Sequence, residues 1–404
     1  MKKETEPILR GIYCTVVAQN YLPQALALYS SIRKHEPDRE IVILVVDADR
    51  KELELNRPRL RVADTSFLGL TSREIEDLAA IYDVVEFSTA VKPLFFKKLL
   101  IEFEHVVYLD PDTFLVSPLL ELEGLLENHG VVLTPHFLEP IGPGNPYITE
   151  VHSLTVGVHN LGFCAFSRVG IDFLDWWWSH LERECLIYPL FGIFVDQKWT
   201  DVGATLFKAF SLRHYGYNAG PWNLHERGFE RTNGVLTMTG SGEPLRLFHF
   251  SGFDANDPDA ISERLNVSLK GSGLGGEELR LLGHQYARQI LDSREILGKS
   301  PAYHFEVDSS GKRLDKRTRR AFRKDLVSNS SSPGIPSAFD PDQAQSFREW
   351  RRKSWRSKVH MIAGDAAIAL KYVFPEEFTS ARKSFPTQFR WVRARLLRAS
   401  RVRR

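Results

Sequence analysis

Two carboxylates separated by one proline, Asp110-Pro111-Asp112, follow the apolar run at residues 106–109. The run is typical of a buried strand, and Pro111 ends it because proline has no N–H to donate. Asp110 and Asp112 would then lie at the carboxyl edge of a sheet, where ligands bind in open α/β folds. Two hard oxygen ligands there suit Mg²⁺ or Mn²⁺ holding a diphosphate. The alternative is a plain turn, since Asp-Pro-Asp is also good turn chemistry.

The segments before these carboxylates predict the sheet that would position them. Strand-like runs at residues 11–18, 40–46 and 106–109 alternate with helix-like segments at 21–35, from Thr71, and at 91–103. Glu74 lies at capping-box spacing from Thr71, with Ser72 as an alternative cap. Such alternation requires crossover connections, so we expect a largely parallel sheet. The second half is less regular, with strands predicted at 159–166 and 245–250 and helices at 172–186 and 277–297. The helix at 172–186 carries three adjacent tryptophans, which we interpret as core and interface packing residues, with a sugar-stacking platform as the alternative.

Composition places the chain among ordinary globular proteins. Of its 404 residues, 43% are hydrophobic and 26% are charged, which is typical of a folded protein with a sizeable core. It has no run of about 18 apolar residues, so no membrane-spanning helix is expected. The charged amino terminus lacks an apolar signal core. The widely spaced Cys14, Cys164 and Cys185 lie in apolar contexts typical of reduced thiols, which predicts a cytoplasmic protein.

The carboxy-terminal segment differs from the rest in charge. Residues 375–404 hold nine lysines and arginines and two glutamates, a net +7 against +2 for the whole chain. Apolar residues recur there at spacings of four and three, which predicts a basic amphipathic helix. One hypothesis is contact with an anionic membrane surface through residues 381–404. The alternative is a helix docked on the body; nucleic-acid binding has no recognition fold to support it.

Six short blocks occur in the order expected of one enzyme family. They are Glu86-Phe-Ser-Thr-Ala-Val-Lys-Pro93, Tyr108-Leu-Asp-Pro-Asp112, Asn160-Leu-Gly-Phe163, Val195-Asp-Gln197, Trp222-Asn-Leu-His-Glu-Arg227 and Phe248-His-Phe-Ser-Gly252. Together they resemble the GT-A glycosyltransferases, specifically the family-8-like nucleotide-sugar transferases and a bacterial group of glycosyltransferases within them. The resemblance runs from about residue 11 to about residue 326. It implies a Rossmann-like, mostly parallel central sheet flanked by helices, with a helical C-terminal extension.

The resemblance also implies roles for particular residues. Asp110 and Asp112 match the metal-binding pair and His249 matches a third ligand, a set that favours Mn²⁺ over Mg²⁺ because imidazole is a good Mn²⁺ ligand. The residues implied to bind the donor are Thr15 and Val17 at the base, Asp47 at the base or ribose, Lys92 and Gly252 at the diphosphate, and Asn160 and Gly162 at the sugar. Asp196 and Gln197 match the pair near the anomeric carbon.

Several of these residues also have a purely structural interpretation. Asp47 fits a cap or turn equally well, Lys92 fits a helix start, and Asp196 and Gln197 fit a helix cap. His249, alone in an apolar strand, also fits a hydrogen-bonded core residue. The cluster at 222–227 is expected either to form an acceptor wall or to pack in the core. Family 8 often has a lysine after the His-x-x-Gly block, but this chain continues Phe253-Asp-Ala-Asn-Asp257. Neutralisation of the phosphates is therefore expected from elsewhere, with Lys92 and Arg227 as candidates.

The sequence thus predicts a metal-dependent glycosyltransferase that moves a sugar, with retention, from a nucleotide-diphosphate sugar (UDP-sugar favoured) to a glycan or lipid-linked acceptor. The alternatives are a nucleotidyltransferase, disfavoured because residues 17–23 lack a glycine-rich basic loop, and a non-catalytic glycan- or membrane-binding scaffold. The expected location is cytoplasmic, with peripheral contact at the inner face of the membrane. The expected segments are a catalytic domain at 1–270, a helical extension at 277–327, a linker at 328–341 and a basic tail at 342–404.

Overall fold

The computed structural model describes residues 9–48, 55–142, 145, 148–265, 267, 276–328 and 334–373. The chain divides into two compact units, Met1–Glu306 and Val307–Arg404. The basic helix predicted for residues 381–404 lies outside the described residues. The four segments expected from the sequence stay predictions.

The strands of the first unit form one large sheet and several short ribbons. In chain order they are β1 (Leu9–Val17), β2 (Ile41–Val45), β3 (Leu60–Ala63), β4 (Phe103–Leu109), β5 (Thr113–Leu115), β6 (Val131–Pro135), β7 (His159–Ser167), β8 (Ile187–Tyr188), β9 (Ile193–Phe194), β10 (Phe210–Ser211), β11 (Phe229–Thr232), β12 (Val235–Met238) and β13 (Leu247–His249). The large sheet has seven strands in the order β10-β6-β7-β4-β1-β2-β3. Only β7 within it pairs antiparallel to its neighbours. The prediction of a mostly parallel α/β sheet is confirmed.

Helices cover both faces of this sheet. Those of the first unit are α1 (Leu22–His35), α2 (Ser72–Ile81), α3 (Val84–Ala90), α4 (Lys92–Glu102), α5 (Leu122–Asn128), α6 (Glu150–Val156), α7 (Ile171–Glu184), α8 (Gln197–Leu206) and α9 (Gly276–Leu297). Along β4, Val107 and Leu109 join a cluster that includes Leu28 of α1 and Leu122 of α5. Tyr108, between them, contacts Phe96 of α4. Burial on both faces explains the continuous apolar run at residues 106–109 of β4.

Local signals in the sequence explain where several helices begin. Thr71 caps α2, and Glu74 returns a hydrogen bond to its backbone, which confirms the predicted capping box. Asp83 and Glu86 form a second box at α3. The tryptophan helix is α7, in which Trp177 is fully buried and packs on Phe96 and Phe166. Packing of Trp177 in the core therefore agrees with the interpretation from the sequence.

The second unit is helical in the part that the structure describes. Its helices are α10 (Lys316–Ser328), α11 (Ala344–Lys353) and α12 (Trp355–Val373). Phe322 of α10 contacts Phe347 and Trp350 of α11, and these rings form the centre of the unit. Among all described helices of the chain, none has the length and apolarity needed to cross a membrane.

Candidate metal centre and its surroundings

The pairing of two short strands brings His249 to the carboxylates. After β4 ends, the chain turns through Asp110-Pro111-Asp112 and continues directly as β5. β5 pairs antiparallel with β13 so that Thr113 lies opposite His249. The N–H of Phe250 donates to the carbonyl of Asp112 at 2.8 Å, which locks this register. Residues about 140 positions apart therefore meet at the carboxyl edge of the sheet.

The three side chains are spaced as ligands of one cation. The Nε2 atom of His249 lies 3.1 Å from Oδ1 of Asp112 and 3.9 Å from Oδ2 of Asp110. One candidate ligand atom from each residue lies within 4.8 Å of the other two. Neighbouring ligands at about 2.1 Å around an octahedral ion are about 3 Å apart. The spacing therefore fits a divalent cation, with both carboxylates partly open to solvent.

The hydrogen bonds of His249 determine which ring nitrogen faces the carboxylates. Asn218 is buried and directs its Nδ2 to the carbonyl of Asn160 and to Oγ1 of Thr134, at 3.0 and 2.9 Å. Its Oδ1 is thereby left as the acceptor for Nδ1–H of His249 at 3.1 Å. With hydrogen on Nδ1, His249 would present its Nε2 lone pair to a cation held between the two carboxylates. The donor set and its orientation fit Mn²⁺ or Mg²⁺.

Asn218 itself gives a testable prediction about this orientation. Asn218→Ala removes the acceptor that fixes the ring, so we expect Mn²⁺ affinity to fall about 10- to 100-fold, as for other residues that orient ligands. Calorimetric titration with Mn²⁺ alone measures this. Asn233→Ala is the matched control because Asn218 and Asn233 both have positive φ, +50° and +51°, and Asn233 is exposed away from the site. Equal Mn²⁺ affinity in the two variants would contradict the role given to Asn218.

Gly162 makes room for the imidazole. A Cβ at Gly162 would lie 2.1 Å from Nδ1 of His249, far inside contact distance. The carbonyl of Gly162 also accepts the N–H of Asp110 at 2.9 Å. The sequence predicted a donor-binding role for Gly162, which stays a prediction, and the structure adds this packing role. Gly252, also predicted to bind the donor, has φ +76° and turns the chain just after His249.

Lys92 lies between two carboxylates at the start of α4. Its Nζ is 2.9 Å from Asp196 and 3.6 Å from Asp110, and its side chain is 3% exposed. Burial opposes the charge on Lys92, but Asp196 and Asp110 outweigh it and raise its pKa. Burial raises the pKa of Asp196, with Lys92 acting in the opposite direction. Tyr108 donates to Oδ1 of Asp110 at 2.5 Å, so the other oxygen of Asp110 is turned toward His249.

Loss of Lys92 should therefore destabilise the protein. Lys92→Met leaves Asp196 buried without its cation, and we expect the free energy of unfolding to fall by about 3 kcal/mol. The double variant Lys92→Met/Asp196→Asn should recover part of that loss. Lys97→Met on the same helix is the control, because its pair with Asp175 is solvent-exposed and should contribute less than about 1 kcal/mol. Urea unfolding measures all three; similar values for Lys92→Met and Lys97→Met would contradict the assignment.

Asn160 and Gln197 meet beside the metal centre in a network around His136. Nδ2 of Asn160 lies 3.3 Å from Nε2 of His136, and Nε2 of Gln197 lies 3.5 Å from the same atom. Burial lowers the pKa of His136 to about 4, so its ring is neutral near pH 7 and its Nε2 can accept a hydrogen bond from an amide N–H. Oδ1 of Asn160 accepts the N–H of Gly162 at 2.9 Å. The network orients two amides that the sequence predicted to contact the sugar.

The residues predicted for the nucleotide lie on β1 and after β2. Thr15 is fully buried, and its hydroxyl has no hydrogen-bond partner among the described residues. Val17 packs in an apolar cluster with Leu22 and Ile43. Asp47 accepts the N–H groups of Gln19 and His304 at 2.8 and 3.3 Å, and burial raises its pKa. These contacts give Asp47 a structural role in holding two loops, and its predicted role at the base or ribose is untested.

Several residues that the sequence suggested for the acceptor wall or for the phosphates are instead hydrogen-bonded to groups within the protein. Trp222 and Asn223 are buried and donate to the carbonyl of His136. Arg227 is buried beside Glu226 and donates to two backbone carbonyls. His225 and Glu226 do line a cleft of about 730 Å³ with Glu139 and Tyr215. The acceptor wall stays a prediction, and packing accounts for most of the cluster.

Sequence reasoning missed Asn218 and Arg264. Arg264 is exposed and donates to Ser251, two residues after His249. Burial alone would raise the pKa of Asp112; His249 and then Arg264 counter it and hold the pKa below its usual range. Arg264 is thus an accessible cation beside the metal centre, unlike Lys92 and Arg227. An isolated asparagine and an exposed arginine carry no spacing signal that could have identified them.

No family model matches the chain. The uncharacterized protein YfnF of Bacillus subtilis (strain 168) is 30% identical over 279 residues, which cover 65% of this chain and 88% of YfnF. Because YfnF is described only as uncharacterized, this likeness defines a family without assigning an activity.

Several solved glycosyltransferases are similar in structure. GlyE of Streptococcus pneumoniae TIGR4 has a TM-score of 0.41 and 15% identity, over 73% of this chain and 66% of GlyE. The galactosyltransferase LgtC, solved with donor and acceptor sugar analogs, has a TM-score of 0.38 and 15% identity, over 72% of this chain and 97% of LgtC. The bifunctional glycosyltransferase WbbM has a TM-score of 0.40 and 12% identity, over 74% of this chain and 51% of WbbM.

Proposed function

This chain belongs to the same family as YfnF of Bacillus subtilis, and for this member we propose a metal-dependent glycosyltransferase activity. The observation that carries the proposal is the convergence of Asp110, Asp112 and His249 at the carboxyl edge of a mostly parallel sheet. The cation would be Mn²⁺ or Mg²⁺, with Mn²⁺ favoured because one ligand is an imidazole. The donor would be a nucleotide-diphosphate sugar, with a UDP-sugar favoured.

The chemistry of sugar transfer fits the groups around this centre. When bound, a divalent cation supplies stabilisation of the negative charge that develops on the diphosphate as the sugar–phosphate bond breaks. Arg264 would add positive charge on the solvent side, in the role first expected of Lys92 or Arg227. Lys92 instead keeps Asp110 and Asp196 in place. This division of labour is supported by the burial of Lys92 and the exposure of Arg264.

The sugar would bind beside the amide network. Asn160 and Gln197 offer amide groups for its hydroxyls, and Asp196 would lie near the anomeric carbon. Thr15, Val17 and Asp47 are proposed to contact the base and ribose, and Gly162 and Gly252 to allow close approach of the donor. We further propose a glycan or lipid-linked acceptor, transfer with retention, and a cytoplasmic location with peripheral contact at the membrane through residues 381–404.

A donor screen tests the activity. The chain is incubated with UDP-, GDP- and CDP-sugars, with and without Mn²⁺, and release of the free nucleotide diphosphate is measured together with the melting temperature. Ligands that bind the native state raise the melting temperature by mass action. We expect one nucleotide class to give both a shift and Mn²⁺-dependent hydrolysis. A shift without hydrolysis would favour the scaffold alternative, and neither signal with any donor would refute the proposal.

A further inference from the structure

The two compact units of the chain have opposite net charge. Residues 1–306 hold 29 lysines and arginines against 42 aspartates and glutamates, a net charge of −13. Residues 307–404 hold 24 against 9, a net charge of +15, and only part of that excess belongs to residues 375–404. A basic unit of fewer than 100 residues attached to an acidic body points to an anionic partner for the second unit.

Helix α12 of this unit exposes a stripe of apolar side chains. Val359, Ile362 and Val373 are 54%, 47% and 65% exposed, and Ala366 and Ala369 between them are also exposed. Their spacings of three, four, three and four place all five on one side of the helix.

The packed side of α12 is a different one. Ser354 and Gly364 are buried, and Nζ of Lys358 donates to Thr318 of α10 at 2.9 Å. The helix is therefore anchored within its own unit through residues outside the stripe. The exposed basic residues Arg348, Arg352 and Lys353 precede it on α11. An apolar stripe next to a basic segment is the pattern of a helix that lies in the interface of an anionic bilayer.

We propose that α12 is a membrane-docking helix that inserts its stripe into an anionic lipid surface. Charge complementarity favours an anionic surface over the same unit of a second copy, because two units of +15 would repel each other at such an interface. Docking on the acidic unit of a second copy would make a dimer, which light scattering detects. The proposal differs from the sequence-based prediction for residues 381–404 because its stripe lies on described residues upstream of that segment. Residues 307–374 alone carry a net charge of +8. It also stands independently of the sugar-transfer activity.

Vesicle co-sedimentation of the full chain tests the proposal. Vesicles of phosphatidylcholine alone are compared with vesicles that also contain phosphatidylglycerol. We expect binding to the anionic vesicles only, and about a tenfold or larger fall in partitioning for Val359→Asp/Ile362→Asp. The matched control is Val169→Asp/Ile296→Asp, which makes the same chemical change at residues of the first unit that are 84% and 67% exposed. Thermal unfolding of both variants establishes that they fold.

Three outcomes would overturn the proposal. One is anionic-vesicle binding by Val359→Asp/Ile362→Asp that equals that of the wild type. A second is a wild-type dimer in light scattering that this variant converts to a monomer without loss of vesicle binding, which would assign the stripe to a second copy. The third is tight binding of an RNA oligonucleotide with no binding to anionic vesicles, which would assign the charge to nucleic acid.

Discussion

Asp112→Asn will lower Mn²⁺-dependent turnover of the nucleotide sugar about a thousandfold or more. The variant keeps the size of the side chain but removes one anionic ligand from a site that has two carboxylates and an imidazole. A metal's stabilisation of developing charge is worth several kcal/mol, which corresponds to about three orders of magnitude in rate. Hydrolysis of the donor identified in the screen, measured over a range of Mn²⁺ concentrations, gives this value.

Asp38→Asn is the matched control for that experiment. Asp38 is exposed in the loop after α1, and the same change in charge there should leave turnover unaltered. If Asp112→Asn keeps wild-type turnover and the wild-type Mn²⁺ requirement, Asp112 does not hold the ion and the site has been misassigned.

Gly162→Ala will weaken Mn²⁺ binding, and we expect the affinity to fall about a thousandfold. The new methyl group would occupy the position 2.1 Å from Nδ1 of His249, so the imidazole must move or rotate. Either movement breaks the hydrogen bond to Asn218 and turns Nε2 away from the carboxylates. Displacement of one ligand by about 1 Å is enough to ruin a metal site. Calorimetric titration of Mn²⁺ measures the loss directly.

Gly124→Ala is the control for the glycine substitution. Gly124 lies in α5, and apart from its chain neighbours and the backbone of its own helix no described heavy atom lies within 4 Å of the position its Cβ would occupy. We expect unchanged Mn²⁺ affinity and slightly higher stability, because alanine is the better helix former. Retention of wild-type Mn²⁺ affinity in Gly162→Ala would show that His249 is not a ligand, or that the ring is held differently.

Structural features that depend only on neighbouring residues could be predicted from the sequence. The β4 strand and its abrupt end at Asp110-Pro111-Asp112 follow from an apolar run and a proline, and the structure confirms both. The capping box at Thr71 and the alternation of strand and helix also followed from short-range rules. A cation site at Asp110 and Asp112 could be predicted because ligands bind at the carboxyl ends of strands in open α/β sheets. His249 was identified through its block in the resemblance, and the β5–β13 pairing explains why it arrives there.

Features set by tertiary contacts were not predictable. Lys92 looked like a phosphate-binding or helix-start residue, because no local signal reveals that Asp196 lies 2.9 Å away across 104 positions of sequence. Gly162 was interpreted as a donor-binding residue, and its contact with His249 depends on how β7 and β13 approach each other. Asn218 adopts a positive φ that no local sequence signal predicts. In each case the determining neighbour is distant in the chain, and side-chain periodicity contains no information about it.

Direct measurement of bound Mn²⁺ by electron paramagnetic resonance tests the central claim, which is that Asp110, Asp112 and His249 together hold one divalent cation. Free Mn²⁺ gives a strong signal that decreases on binding, so titration with protein reports both the number of sites and the affinity. We predict one site per chain in the wild type and loss of that site in Asp110→Asn/Asp112→Asn. An unchanged site in the double variant, or no site in the wild type with or without the nucleotide diphosphate, would contradict the account.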